Sequence, residues 1–146
     1  MYHLKKNREI IFIDETSTNM WDLRKRIWQP KDSRLPLVVQ RANTKEKNVT
    51  IIGAVSLKMK MIYHHVTNST NTITVEDFFK KMEKRVGICN KVIVMDNHAA
   101  HKSEIVTELL ASKGAIVLFL PPSCSYFNPI ETIWSWVKGK WRKLLL

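Results

Sequence analysis

Three carboxylates occupy positions in this chain that suit metal chemistry on a phosphate. Asp96 and Glu131 are separated by 34 residues, and Asp14 lies far upstream of both. Asp14 and Asp96 each follow a short, continuously apolar run, which is typical of the end of a buried strand. An aspartate that closes such a strand must be hydrogen-bonded, paired or metal-bound, because burial of an isolated carboxylate is costly. If the fold brings the three carboxylates together, they can hold divalent ions against a phosphate.

Glu131 also has a purely structural explanation. In the segment 128–131, Asn128 is a strong helix N-cap, Pro129 is favoured at the first helical position, and a glutamate at the third position closes a capping box. The core face of the predicted helix contains Ile130, Trp134, Val137 and Trp141, and the neighbouring face contains Glu131, Ser135, Lys138 and Arg142. The second face suits a groove for metal and phosphate, but it also suits a solvated helix surface, so both interpretations stay open.

The charge balance favours a polyanionic partner. The chain of 146 residues has 24 Lys and Arg against 13 Asp and Glu, a formal charge of +11. Such a surplus favours nucleic acid through counterion release, although a merely basic protein or a fragment can share it. The length predicts one domain over 1–146, no apolar run approaches the roughly 20 residues that span a bilayer, and the start lacks a signal-peptide pattern. The cysteines lack metal-site spacing, which predicts reduced thiols in an intracellular protein.

The apolar pattern predicts three initial strands followed by alternating helices and strands. Strands are predicted over residues 9–15, 49–57, 59–66, 91–95 and 115–120, and helices over about 75–86, 102–112 and 128 to the chain end. Thr74 is predicted as the N-cap of the first helix, and Gly114 as the stop signal of the second. The second and third strands are predicted to form an antiparallel hairpin. The order predicts a mixed α/β sheet with helices on its faces, interrupted by a long loop at 17–48 that is expected to be functional or partner-bound.

Other candidate sites have weaker support. His98 and His101 lie just after Asp96, but the hard cations that act on phosphate prefer oxygen ligands. The chain has only four glycines, and none has the spacing of a nucleotide-binding loop. Ser123 and Ser125 do not lie in the strained turn that presents a nucleophilic serine. The three carboxylates are therefore the strongest candidates.

Three segments resemble the catalytic domain of mariner-type DNA transposases, within the larger group of ribonuclease-H-like transposases and retroviral integrases. The segments are Phe-Ile-Asp-Glu-Thr at 12–16, Val-Met-Asp-Asn-His-Ala-Ala-His at 94–101, and 120–134, in which Pro-Pro is followed by Asn-Pro-Ile-Glu and an aromatic residue. The resemblance implies an α/β, ribonuclease-H-like fold, with a five-stranded mixed sheet whose first three strands are antiparallel and which helices flank. It also implies that Asp14, Asp96 and Glu131 form a catalytic triad that binds two Mg²⁺ or Mn²⁺ ions.

The same resemblance implies roles for residues around the triad. Asn97 and His101 are expected to be supporting residues, as are Asn128 and Pro129 at the start of the catalytic helix. The segment 17–48 corresponds to a loop that clamps a partner subunit in the family. The helix-turn-helix region that precedes such domains has no counterpart in this sequence, so an excised or degenerate domain is expected. The expected partners are transposon-end and target DNA and a second subunit, in a homodimer or larger oligomer. The expected location is the nucleus of a eukaryotic host, or the cytoplasm of a bacterial one.

The resulting hypothesis is a DNA transposase that hydrolyses phosphodiester bonds at transposon ends and then joins the 3′-hydroxyl to target DNA. Lys138 and Arg142 are predicted to contact the DNA backbone, which adds affinity without sequence specificity. Two alternatives stay open: a ribonuclease-H-like nuclease that only hydrolyses its substrate, and a domesticated or decayed domain that only binds DNA or dimerises. Strand transfer distinguishes the first alternative from the main hypothesis, and metal binding at the triad distinguishes the second.

Overall fold

The structure is a computed structural model that describes residues 8–18, 49–58 and 60–144, apart from the side chains of Ser125, Arg142 and Leu144. The strands are β1 (Ile10–Thr18), β2 (Val49–Ser56), β3 (Met61–Thr67), β4 (Val92–Met95) and β5 (Ile116–Phe119). The helices are α1 (Thr72–Val86), α2 (Glu104–Ser112) and α3 (Ile130–Leu144), and a short 3₁₀ turn at Ser125–Phe127 precedes α3. No helix in these ranges combines the length and the hydrophobicity that a bilayer-spanning segment needs.

The five strands form one mixed sheet in the order β3-β2-β1-β4-β5. β1 pairs antiparallel with β2, and β2 with β3, so the first three strands form an antiparallel meander. β4 pairs parallel with β1, and β5 pairs parallel with β4, because α1 and α2 supply the crossover connections that parallel strands require. The predicted five-stranded mixed sheet is confirmed.

Two helices, α1 and α2, pack on one face of the sheet and α3 packs on the other, and the alternation along β1 explains which residues enter which layer. Ile11 and Ile13 point to one face, where they join the main core with Phe78 of α1 and Leu110 of α2. On the opposite face, α3 packs against the antiparallel half of the sheet. The cluster there contains Val55, Ile130 and Trp134, with Ile51, Met61, Ile133 and Val137 partly buried around it. Trp141, predicted for this face, is more than a third exposed.

Two local predictions differ from the structure. The first strand continues through Thr18, because Ser17 and Thr18 keep their pairing with Thr50 and Val49, so these two residues do not belong to the predicted loop at 17–48. The rest of that loop and Met59, in the predicted strand 59–66, lie outside the described residues.

The predicted N-cap of α1 is wrong by three residues. Asn71 is the N-cap: its Oδ1 accepts a hydrogen bond from the Thr74 backbone N–H at 2.9 Å. In return, the Thr74 hydroxyl oxygen accepts one from the Asn71 backbone N–H, also at 2.9 Å. Thr74 is therefore the third helical residue of a capping box and not its first member. The predicted stop near Gly114 is correct, since α2 ends at Ser112 and Gly114 adopts a φ of 66°, which favours glycine.

Candidate active site

Asp14 and Asp96 lie side by side at one edge of the sheet. The parallel ladder between β1 and β4 places Phe12 opposite Val94, and each aspartate comes two residues further along its own strand. β4 ends at Met95, so Asp96 is the first residue beyond it, whereas Asp14 is still paired with β2. Since parallel strands point the same way, the two residues leave the core at the same level. The structure thus places the two predicted strand-end acids at the same level of neighbouring parallel strands.

The start of α3 is tied to the same edge of the sheet by Asn128. This side chain is 3% exposed, and its Nδ2 donates to the backbone carbonyl of Ile13 at 3.2 Å. Its Oδ1 accepts from the Ile130 backbone N–H at 3.4 Å, which caps the first turn of the helix. One buried amide therefore positions α3 beside Asp14. Pro129 lies between the two anchored positions.

The side chain of Glu131 does not take part in capping α3. It is exposed, and among the described residues it has no hydrogen-bond partner, so the capping box predicted between Asn128 and Glu131 does not close. Instead, its negative charge acts on Asp14 and raises the pKa of that residue. The carboxylate of Glu131 is therefore not used in a capping box, and it is left available on the exposed surface of the first turn of α3.

Asp14 is held in an environment that opposes its ionisation. Its pKa is raised to about 7 from an ordinary value of 3.8, and burial is the largest cause. The backbone N–H of Glu15 lowers it, the negative charges of Glu15 and Glu131 raise it, and a hydrogen bond from Trp134 lowers it. This hydrogen bond runs from the indole Nε1–H to Asp14 Oδ2 at 3.0 Å. A carboxylate that is partly buried and repelled by two others is a site where a cation is favourable.

His101 joins the two acidic strands on the other face of the sheet. It is fully buried, and its ring donates to Asp96 Oδ1 through Nδ1 and to Glu15 Oε1 through Nε2, both at 2.7 Å. Burial alone lowers the pKa of His101, but the hydrogen bond and charge of Glu15 and those of Asp96 outweigh it and raise the pKa to about 9. At neutral pH the ring is therefore an imidazolium that bridges two carboxylates.

Glu15 is a residue that the sequence analysis missed. It follows Asp14 directly in β1, so the alternation of a strand turns it to the opposite face, toward Ile13 and the main core. A carboxylate in such a position needs a buried cationic partner. The alternation of β1 was the only feature of the sequence that indicated a largely buried Glu15. His101, which follows β4 and Asp96, was the cationic partner available to it.

The surroundings of Asp96 leave part of its carboxylate free. Oδ1 accepts from His101 and also from the His98 backbone N–H at 3.0 Å, while the side chain as a whole is 45% exposed. Asn97 is exposed, and its side chain makes no hydrogen bond within the described part of the chain, so its supporting role stays a prediction. Lys138 is half-buried on α3, and the side chain of Arg142 lies outside the described residues.

The carboxylates at this edge of the sheet have the chemistry that a hard divalent cation requires. In this structure, however, they are too far apart to hold one ion together. Carboxylate oxygens from β1, β4 and α3 are the ligands that Mg²⁺ and Mn²⁺ prefer. The repulsion between Asp14 and Glu131 is the electrostatic feature that a cation between them would relieve. Among the described residues, no group of three His, Cys, Asp or Glu side chains is close enough to hold a metal ion.

Comparison with solved structures gives the same fold. The Mos1 mariner paired-end complex with Mn matches with a TM-score of 0.71 and 12% identity, over 90% of this chain and 42% of that one. The catalytic domain of Mos1 mariner transposase matches with a TM-score of 0.61 and 12% identity, over 90% and 59%. An intasome of simian T-cell lymphotropic virus in complex with PP2A regulatory subunit B56 gamma matches with a TM-score of 0.63 and 11% identity, over 90% and 39%.

These likenesses establish the fold as ribonuclease-H-like, as predicted. The chain spans between 39% and 59% of the length of these three structures. A search of curated proteins found no significant match. The sequence model of one family matches residues 9–145, which is nearly the whole chain and includes Asp14, Asp96 and Glu131. By this match, the chain belongs to the DDE superfamily endonucleases.

Proposed function

We propose that this chain is the catalytic domain of a mariner-type DNA transposase, which cuts phosphodiester bonds at transposon ends and joins the 3′-hydroxyl to target DNA. The observation that carries the proposal is the state of Glu131. Its helix is tied to β1 by Asn128, its carboxylate is free of the cap, and its charge reaches Asp14. Membership of the DDE endonucleases supports the same conclusion, because it assigns chemistry on phosphodiester bonds.

In this proposal, Asp14, Asp96 and Glu131 are the ligands of two Mg²⁺ or Mn²⁺ ions. When bound, such ions activate a water or a 3′-hydroxyl for in-line attack and stabilise the leaving oxygen. The Mn-containing Mos1 structures support this choice of cation, although their identity to this chain is low. Each ligand comes from a different element, so the site depends on how β1, β4 and α3 are held together.

The residues of this chain supply the positioning. His101 holds Asp96 Oδ1 through its buried imidazolium and leaves the second oxygen of Asp96 free. Asn128 fixes the distance of α3 from β1, and Pro129 supports the start of the helix. Lys138 is proposed to contact the DNA backbone from the same helix, with Arg142 one turn further along. The negative site on a chain of charge +11 then faces a phosphate backbone that the surrounding lysines and arginines attract.

The proposed partners are transposon-end DNA, target DNA and a second subunit. Relatives of this fold occur as a paired-end complex, a strand transfer complex and an intasome. Those assemblies support a homodimer or larger oligomer as the active form. The part of the predicted loop that follows β1, residues 19–48, is proposed to contribute the clamp between subunits, and it lies outside the described part of the chain.

The proposal is tested by two DNA assays on the purified chain in Mn²⁺. The first measures nicking of supercoiled plasmid, and the second measures joining of a duplex oligonucleotide with a free 3′-hydroxyl to that plasmid. We expect both activities in the wild type, loss of both in Asp96→Asn, and retention in Glu108→Gln, which removes an exposed carboxylate on α2.

Each other outcome of these assays contradicts the proposal in a different way. Nicking without joining would indicate a nuclease that only hydrolyses its substrate. DNA binding without either activity would indicate a binding or dimerisation module. Wild-type rates in Asp96→Asn would show that the assigned acid does not take part in the reaction.

A further inference from the structure

Trp134 makes a contact that its role in the core does not require. It lies one turn after Ile130 on α3, is 2% exposed, and packs with Val55 and Ile130 between helix and sheet. A residue with this burial stabilises the fold by its apolar surface alone. Its indole N–H, however, reaches Asp14 Oδ2 at 3.0 Å. Within the described residues, this is the one side-chain hydrogen bond that Asp14 receives.

The ring reaches Asp14 because Gly53 leaves space for it. Gly53 is paired directly opposite Asp14 in the antiparallel ladder of β1 and β2. A Cβ at this position would lie 2.5 Å from Trp134 Cη2 and 2.8 Å from Trp134 Cζ2. Both distances are too short for two carbon atoms that are not bonded to each other. The backbone of Gly53 does not have the positive φ that favours glycine, so the requirement is for space.

We propose that Trp134 is a positioning residue for Asp14, and that Gly53 admits its ring to the site. The proposal rests on the proposed function, since it assumes that Asp14 binds the metal. The hydrogen bond from the indole N–H to Oδ2 fixes the rotation of the Asp14 carboxylate.

Three features set this arrangement apart from ordinary core packing. The donor is the polar atom of an otherwise apolar side chain, and it is aimed at a carboxylate that the match to the DDE endonucleases includes. The glycine that permits the contact is on the neighbouring strand, opposite that carboxylate. The tryptophan is one turn after Glu131, so the same short piece of α3 provides one proposed ligand and holds another.

The first test measures Mn²⁺ affinity by calorimetry on the full chain. Partners that orient a metal ligand typically change metal affinity by about 10- to 100-fold, so Trp134→Phe is expected to weaken Mn²⁺ binding by that range. The matched control is Trp136→Phe, which changes a tryptophan on the same helix that is 64% exposed and away from the core. This control is expected to bind Mn²⁺ with wild-type affinity.

The second test keeps the tryptophan and moves it. Gly53→Ala places a methyl group against the outer ring of the indole, so it is expected to weaken Mn²⁺ binding in the same direction. It should also expose the Trp134 indole N–H to faster hydrogen exchange in the NMR spectrum of the metal-free protein. In the Trp134→Phe background, the added alanine should have little further effect, because phenylalanine lacks the ring atoms that clash.

These measurements separate positioning from stability. If Trp134→Phe and Gly53→Ala lower the melting temperature but bind Mn²⁺ as the wild type does, Trp134 is a core residue only and the proposal is wrong. If Trp134→Phe does not fold, the Mn²⁺ affinity of Gly53→Ala and the hydrogen exchange of its Trp134 indole N–H decide the question. If the wild type itself binds no Mn²⁺, the proposed metal site fails and the positioning role fails with it.

Discussion

The buried His101 predicts that the metal-free protein loses stability between neutral and alkaline pH. The imidazolium is stabilised in the fold by Glu15 and Asp96, which raise its pKa to about 9 from an ordinary value of 6.5. Because the folded-state pKa is the higher one, protonated His101 stabilises the fold fully below pH 6.5, and this contribution is lost as the pH rises through about 9. At about 1.4 kcal/mol per pKa unit, the loss is on the order of 3 kcal/mol.

The assay is urea unfolding of the wild type and of His101→Gln at pH values across this interval. The difference in the free energy of unfolding between the two proteins should shrink by on the order of 3 kcal/mol as the pH rises. His64→Gln is the control, because His64 is exposed on β3 and its replacement should leave the pH profile of the wild type unchanged. A difference that is constant across the interval, or an NMR titration that places the His101 pKa below 7, would refute the buried imidazolium bridge.

Three further predictions concern the anchors of the site and its surface. Asn128→Ala removes the donor to the Ile13 carbonyl and should lower the free energy of unfolding in urea by about 1–3 kcal/mol. Asn97→Ala, at an exposed position, should change it little. Equal effects of the two substitutions would contradict the role of Asn128 as an anchor. Asn71→Ala removes the N-cap of α1 and should cost about 1 kcal/mol, measured by thermal unfolding, and an unchanged melting temperature would speak against the capping box. Lys138→Ala should weaken binding to duplex DNA and reduce the slope of log affinity against log salt by about 1, and an unchanged slope would exclude a phosphate contact there.

The order of secondary structure could be predicted because each strand is a short apolar run bounded by turn residues. The runs before Asp14 and Asp96 became β1 and β4, and their buried faces account for the pattern. The spatial order of the strands has no comparable signal in the chain, since the pairing of β1 with β4 depends on crossovers built by other elements. The order of the elements predicted a mixed α/β sheet, and the family resemblance implied the ribonuclease-H-like arrangement of its five strands.

The contacts that organise the site could not be predicted from local pattern. Three hydrogen bonds organise the site, and each joins residues that are far apart in the sequence. The separation is 86 residues between His101 and Glu15, 115 between Asn128 and Ile13, and 120 between Trp134 and Asp14. Such contacts follow from how layers pack, whereas periodicity and capping rules act over only a few residues. The capping rules also could not decide between the two interpretations of Glu131, because they identify residues that are able to close a capping box and do not report whether the side chain does so.

The most direct test of the account is the binding of Mn²⁺ to the wild type and to Glu131→Gln, measured by calorimetry. We expect the wild type to bind Mn²⁺ and Glu131→Gln, which keeps the size of the side chain and removes its charge, to bind it markedly more weakly. Glu108→Gln should bind as the wild type does. Equal affinity in the wild type and Glu131→Gln would show that Glu131 is not a metal ligand and would contradict the proposed triad.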